Sequence, residues 1–219
     1  MTSNRAKIIS ASLMLGLFSV VGIGLVAFTH ANTKDRIAAN ERAFVLKSLR
    51  ELVPDNWHDN DLLADQIRTR DRDAFGNDEP VTIYRARMGA NPVAAILTPT
   101  APDGYNGAIR LLVAIDTDNT LIGVRAIRHA ETPGLGDAID TNKSDWILGF
   151  NGKSLLNPPP SKWAVKKDGG DFDQITGATI TPRAIVKTVA RTLVFFKDNQ
   201  EQMFWWPSND QKQQVSKRP

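Results

Sequence analysis

"AIRLLVAIDTDNTLIGVRAIRHA", residues 108–130, contains two runs rich in aliphatic and β-branched side chains, separated by Thr117-Asp118-Asn119. Asp and Asn bond back to their own backbone and tolerate tight conformations, so the stretch reads as an antiparallel hairpin turning at 117–119. Working outward, "VTIYRARM" (81–88) and "PVAAILTP" (92–99) read as two further strands, and neighbouring strands with short connections form an antiparallel sheet. After the hairpin the period changes. Ile185, Val186, Val189, Leu193 and Phe196 recur at helical spacing, which predicts an amphipathic helix. Between them, "DWILGFNGKSL" (145–155) is a short helix or a strand with an aromatic core residue, and "NPPPSK" (157–162) is a rigid exposed connection. The fold class expected is α+β, an antiparallel sheet with packed helices, and no internal repeat is visible.

The N-terminal stretch is of another kind. From Ile8 to Thr33 there is no Asp, Glu, Lys or Arg. The mostly apolar run Ile8 to Phe28 would extend about 31 Å as a helix, enough to cross a bilayer. It is longer than the apolar region of a signal peptide, and Thr29-His30-Ala31 is only a passable cleavage site, so an uncleaved anchor is expected. Arg5 and Lys7 precede the run, whereas Lys34 and Arg36 follow it with Asp35 between them. This bias places the N-terminus in the cytoplasm and the remainder outside it. Thr33 is read as the N-cap of a following helix that carries Ile37, Phe44, Val45, Leu49 and Leu52 on one face, continues from or packs back towards the span, and stops at Pro54.

Composition excludes several classes. The 27 basic and 24 acidic residues nearly balance once Arg5 and Lys7 are set aside, and no basic stripe with interleaved aromatics occurs, so nucleic acid is not an expected partner. The tail from Ser208 holds a local basic excess in Lys212, Lys217 and Arg218 and is expected to be disordered. The absence of cysteine rules out disulfides, iron–sulfur ligation and a lipoprotein anchor, and it is compatible with an oxidising compartment. Three scattered histidines argue against a metal site, although His129 beside Glu131 is a candidate ligand or relay; His30 and His58 are expected to be interfacial or exposed. No Ser-His-Asp or paired-glutamate arrangement suggests hydrolysis. Trp205-Trp206 either covers the core or meets a membrane surface.

"DFDQITGATITPRAIV", Asp171 to Val186, offers three hydroxyls in six residues at Thr176, Thr179 and Thr181, where a loop-to-helix joint needs one. Thr181-Pro182 reads as N-cap and first helical position, which aims the free amides of the helix back over Gly177-Ala178-Thr179. Such an end attracts phosphate. A plain capped loop is the other reading, because neither a G-x-x-x-x-G-K-[ST] nor a G-x-G-x-x-G pattern is present. "RHAETPGLGDAI" (128–139) is a second glycine-rich segment: Pro133-Gly134 suits the central positions of a type II turn, and Gly136 permits another close backbone approach. It is either a structural turn with a solvated glutamate or part of a site.

Asp173-Gln174-Ile175-Thr176-Gly177-Ala178-Thr179 resembles the D-x-x-[ST]-G-A-T signal at which a flavin transferase attaches FMN through a phosphodiester. Together with "HAETPGLGDAI", this is similar to the FMN-binding domain family. With "NPVAAILTPTAPDGYNGAIRLLVAID", "DWILGF" and "WAVKKDGGDFDQITGATITPRAIV" in order, residues 7–197 resemble the G subunits of the Rnf ion-translocating electron transport complex, also described as SoxR-reducing. The resemblance implies that Thr179 carries FMN covalently and that Asp173 belongs to the signal read by a transferase using FAD and a divalent metal. It places Thr176, Gly177, Ala178, Glu131, Thr132, Leu135 and Gly136 around the cofactor. Lys166 is either in a solvated turn or in contact with the flavin. The partners implied are the other Rnf subunits and the transferase. The segments implied are a cytoplasmic N-terminus (1–7), a transmembrane helix (8–29), a membrane-proximal helical segment (30–78), an FMN-binding domain (79–200) and a polar C-terminal tail (201–219), in a single-pass protein of the bacterial inner membrane with its main domain periplasmic. The alternatives are a stand-alone membrane-anchored flavin reductase, the related C-type flavin subunit of the sodium-pumping NADH:quinone reductase, and a non-redox binding or assembly protein.

Overall fold

The computed structural model of the chain describes residues 2–206. The tail expected from Ser208 therefore lies outside the described residues. Contacts divide the chain into two compact units, Met1–Phe44 and Val45–Pro219.

The described residues of the first unit belong to α1 (Thr2–Leu52), whose apolar part is long and hydrophobic enough to cross a membrane. Its large apolar side chains from Ile8 to Phe28 are exposed. Thr33 does not cap a new helix. It lies inside α1, with its hydroxyl 2.8 Å from the Thr29 carbonyl oxygen one turn back. Bonding to the i−4 carbonyl leaves a mid-helix threonine without need of a break, so the two predicted helices are one. Ile37 and Phe44 are exposed as well, so the apolar face expected along 37–52 becomes a buried face only towards its end.

In the second unit, β1 (Gln66–Thr69), β2 (Val81–Met88), β3 (Asn91–Leu97), β4 (Thr100–Ala101), β5 (Ile109–Asp116) and β6 (Leu121–Arg128) make one antiparallel sheet. β5 pairs with β3, β4 and β6. The hairpin between β5 and β6 turns as expected: Asn119 takes φ 63°, and Asp116 Oδ1 accepts from the amides of Asp118 and Thr120 at 2.9 and 2.8 Å. The polar stretch before residue 78 also holds β1 and the single-turn α2 (Arg72–Phe75), both too short for a period to show.

Both sheet faces are covered, which is why β5 is apolar almost without alternation. On one face Leu49, Leu52 and Val53 pack with Ala94, Ile96, Leu112 and Ala114. On the other lies α3 (Ile180–Trp205), whose Ile185, Val186, Val189, Leu193 and Phe196 pack against the sheet as the spacing predicted. Arg85 and Arg87 of β2 fix the far end of α3. They share the carboxylate of Asp65 and donate to the carbonyls of Met203, Phe204 and Trp206. Trp206 packs at the core edge while Trp205 is exposed. His58, expected at the surface, is half-buried, with Nδ1 2.9 Å from the Asn60 carbonyl oxygen. "DWILGF" supplies a 3-10 turn (Trp146–Phe150) rather than a strand.

Candidate functional site

Two turns of the same type face one cleft. In Thr132-Pro133-Gly134-Leu135 the Leu135 amide donates to the Thr132 carbonyl at 3.1 Å, and Gly134 has φ 79°. In Ile175-Thr176-Gly177-Ala178 the Ala178 amide donates to the Ile175 carbonyl at 3.1 Å, and Gly177 has φ 80°. A positive φ at the third position is the type II requirement, which glycine meets without a steric cost. The turns touch: a Cβ on Gly177 would stand 2.6 Å from Leu135 Cδ2.

A buried hydrogen bond joins the first turn to α3. Glu131 is 4% exposed and Thr181 is fully buried, and the Thr181 hydroxyl donates to Glu131 Oε2 at 2.5 Å. The other carboxylate oxygen accepts from the Asn106 amide at 3.2 Å. Thr181 is therefore not the N-cap. The helix starts one residue ahead of it, at Ile180, and Thr179 holds the cap position with near-helical angles and no capping bond from its side chain. The local pattern Thr-Pro is a good helix start, but a buried carboxylate makes a stronger claim on the hydroxyl than a solvated amide does. Glu131 is thus no solvated turn residue.

The cleft so formed has a volume of about 300 Å³ and is lined by Tyr105, Glu131, Thr132, Leu135, Gly136, Gly177, Ala178, Thr179, Ile180 and Thr181. It lies at the start of α3, whose first amides have no carbonyl partner within the helix and carry its positive dipole end. Seven residues named from the sequence, Glu131, Thr132, Leu135, Gly136, Gly177, Ala178 and Thr179, come together here. Thr176, Lys166 and Asp173 do not line it. Lys166 Nζ is 2.5 Å from Asp173 Oδ1, so these two pair with each other on the exposed approach to the second turn. The Asp173 carbonyl accepts from Trp146 Nε1 at 2.8 Å. Phe172 is buried in a cluster with Phe150 and Trp163, which pins the segment while Asp173, Gln174, Thr176 and Gly177 stay exposed.

Nearby, Arg183 donates two hydrogen bonds to Asp168, at 2.6 and 2.7 Å. These hold the Asp168 carboxyl below the usual aspartate range and raise the Arg183 guanidinium. His129 Nε2 lies 3.2 Å from both oxygens of Asp140, and its Nδ1 accepts from the Glu131 amide, which makes it a brace of the first turn.

Sequence reasoning passed over the loop at 103–107. Gly104 approaches so closely that a Cβ there would meet Glu131 Oε1 at 2.9 Å, Asn106 donates to both Glu131 and Thr132, and Tyr105 lines the cleft. The only local signal was "DGYNG", a glycine-flanked aromatic on a turn, which by itself reads only as a connection.

Residues 104–194 match the FMN-binding domain family, and residues 1–52 match the RnfG N-terminal region. The chain is 46% identical over 205 residues to the G subunit of the ion-translocating oxidoreductase complex of Shewanella loihica, covering 94% of this chain and 97% of that one. It is 46% identical over 201 residues to the protein of that name from Pseudomonas aeruginosa, covering 92% and 94%. With the one from Aliivibrio fischeri the identity is 44% over 199 residues, covering 91% and 95%.

Proposed function

The chain belongs to the RnfG family, the G subunits of ion-translocating oxidoreductase complexes, and from that membership we propose that it is a membrane-anchored electron carrier whose FMN is joined through a phosphodiester to Thr179. The observation that carries the attachment point is the state of that threonine. It is exposed, lines the cleft, and stands at the helix start with its hydroxyl engaged in no cap. A phosphate on that oxygen would meet the unpaired first amides of α3 and its dipole, both of which favour an anion.

The residues present suit the rest of the cofactor. The cleft is of the size of small-ligand sites and is walled mainly by apolar groups and glycine backbone, with Glu131 already satisfied by two donors. Thr132, Leu135 and Gly136 would hold the ring system or its chain, while Gly177 and Ala178 let backbone lie against it. When bound, FMN supplies the exchange between two-electron and one-electron carriers. The chain's own part is to hold it, orient it and keep it at the membrane. A covalent link replaces affinity with a high local concentration, which suits a compartment without free flavin.

Maturation falls to a flavin transferase dependent on FAD and a divalent metal. Exposed Asp173 and Thr176 offer it an accessible signal, and the Lys166–Asp173 pair fixes the carboxylate that would be read. The other subunits of the complex are the electron partners. In this reading the N-terminus, with Arg5 and Lys7 ahead of the single span, is cytoplasmic and the flavin domain lies on the periplasmic side of the inner membrane, the orientation that the positive-inside rule favours. Folded Thr179→Ala, made together with the transferase, is expected to carry no covalent flavin, and Thr179→Ser to retain some. In-gel flavin fluorescence after denaturation, with peptide mass mapping, decides it; covalent FMN in Thr179→Ala, or mapped to Thr176 or Thr181 in the parent, would overturn the assignment.

A further inference from the structure

We infer that Tyr105 is a cofactor-contacting residue, its ring stacked on the flavin ring system held at Thr179, an inference that rests on the function proposed above. Tyr105 is 64% exposed and makes no hydrogen bond or ring contact among the described residues, yet the loop carrying it is fixed on both sides. The Asp103 carboxylate accepts from Lys187 Nζ of α3 at 2.8 Å. On the other side, the Asn106 amide donates to Glu131 Oε1 at 3.2 Å and its Nδ2 to Thr132 Oγ1 at 3.0 Å. A large aromatic ring left in water is ordinary on a loose loop. On a loop tied to α3 and to the first turn, it is a ring presented to the cleft.

The other apolar side chains there are in the same condition. Leu135 is 42% and Ile180 45% exposed, and both line the cleft with Tyr105. Three large apolar groups uncovered around one concavity mark a ligand surface and not a packing face. The shape of that ligand follows from its neighbours: Gly136 and Gly177 line the cleft with backbone instead of side chains, which suits a flat body, and a planar heteroaromatic ring gains most from an aromatic partner laid against it. Tyr105 is the only aromatic side chain among the residues lining this cleft.

The phenol gives the contact a spectroscopic signature. A tyrosine in van der Waals contact with an excited flavin quenches its emission by lending an electron that returns in the dark, whereas phenylalanine keeps the ring and loses the donor. The full-length protein, loaded by the transferase, is compared with Tyr105→Phe and Tyr105→Leu at equal covalent flavin, measured by absorbance and by peptide mass at Thr179. Flavin fluorescence is expected to rise severalfold in both variants, with the emission lifetime lengthening in step. Tyr105→Leu should in addition shift the flavin midpoint potential to a more positive value, because an electron-rich face over the ring disfavours added electrons, and Tyr105→Phe should leave it closer to the parent. Loaded Tyr105→Phe with parental fluorescence and lifetime overturns the stacking. An absence of flavin on Thr179 in the parent overturns both this inference and the function on which it rests, so the two failures are told apart by the mass measurement alone.

Discussion

Thr181→Val removes one hydroxyl and keeps the volume and branching of the side chain, so what it costs is the bond to Glu131. Both side chains are closed to water, at 0% and 4% exposure, and the lost donor has no replacement. Glu131 would keep only the Asn106 amide at 3.2 Å. A hydrogen bond to a charged group contributes roughly 1.5–3 kcal/mol, against about 1 kcal/mol for an ordinary helix cap. The upper half of that range applies because the carboxylate stays buried, so a loss of about 2–3 kcal/mol is expected. For a domain of this size each kcal/mol moves the midpoint by roughly 2–4 °C, so Tm should fall by about 4–12 °C. The assay is thermal and urea unfolding of the full chain in detergent, made without the transferase, followed by the fluorescence of Trp146 and Trp163 in the aromatic cluster beside the site. Thr181→Ser should recover most of the loss. Thr179→Ala, which removes no capping bond, should stay within about 0.5 kcal/mol of the parent. If Thr179→Ala costs more than Thr181→Val, the assignment of the two hydroxyls is reversed and the reasoning fails.

Gly177→Ala forces a side chain into φ 80° and against Leu135 Cδ2, and is expected to cost about 1–2 kcal/mol in urea unfolding and to lower flavin loading at Thr179. Asp168 should titrate below the ordinary aspartate range in a carboxyl NMR titration and return to it in Arg183→Gln. Because its folded pKa is depressed, the stabilisation from this pair is present at neutral pH and is withdrawn as pH falls through that lowered value; added salt should shrink it, since both groups are at the surface. A phosphatase reporter fused after Pro219 should be active only when exported, and activity confined to a cytoplasmic reporter at the same place would reverse the proposed orientation.

Much of the fold was legible because the interactions behind it are local. The strand at 81–88 was read to the residue, since β-branched and apolar side chains mark a covered sheet. The turn at 117–119 follows from Asp and Asn bonding their own backbone, and Gly134 follows from the φ that a type II turn demands after proline. The α3 face was legible from period alone, and the uncharged apolar run of α1, long enough to span a membrane, was legible from its length. The "DQITGAT" stretch ends at Thr179, one residue ahead of the helix start at Ile180, within a turn of the start that the following Thr181-Pro182 announces.

Only the tertiary structure decided which partner each polar group takes. Thr181 and Glu131 are 50 residues apart, and no local pattern says that the hydroxyl serves a buried carboxylate instead of its own helix; that choice is made when α3 packs beside the first turn and excludes water. Lys166 turns to Asp173 and away from the cleft for the same kind of reason, an opposite charge brought to 2.5 Å by the 3-10 turn at Lys166–Asp168. Thr33 looked like a cap because a threonine before charged residues does so in isolation, and in the folded helix its hydroxyl bonds the preceding turn. Tyr105 had no period and no motif, and its place at the cleft comes entirely from the ties of Asp103 and Asn106 to elements far along the chain. Propensity and turn chemistry act over a few residues and can be read from them, whereas burial, which sets the value of every polar contact at this site, belongs to the packed whole.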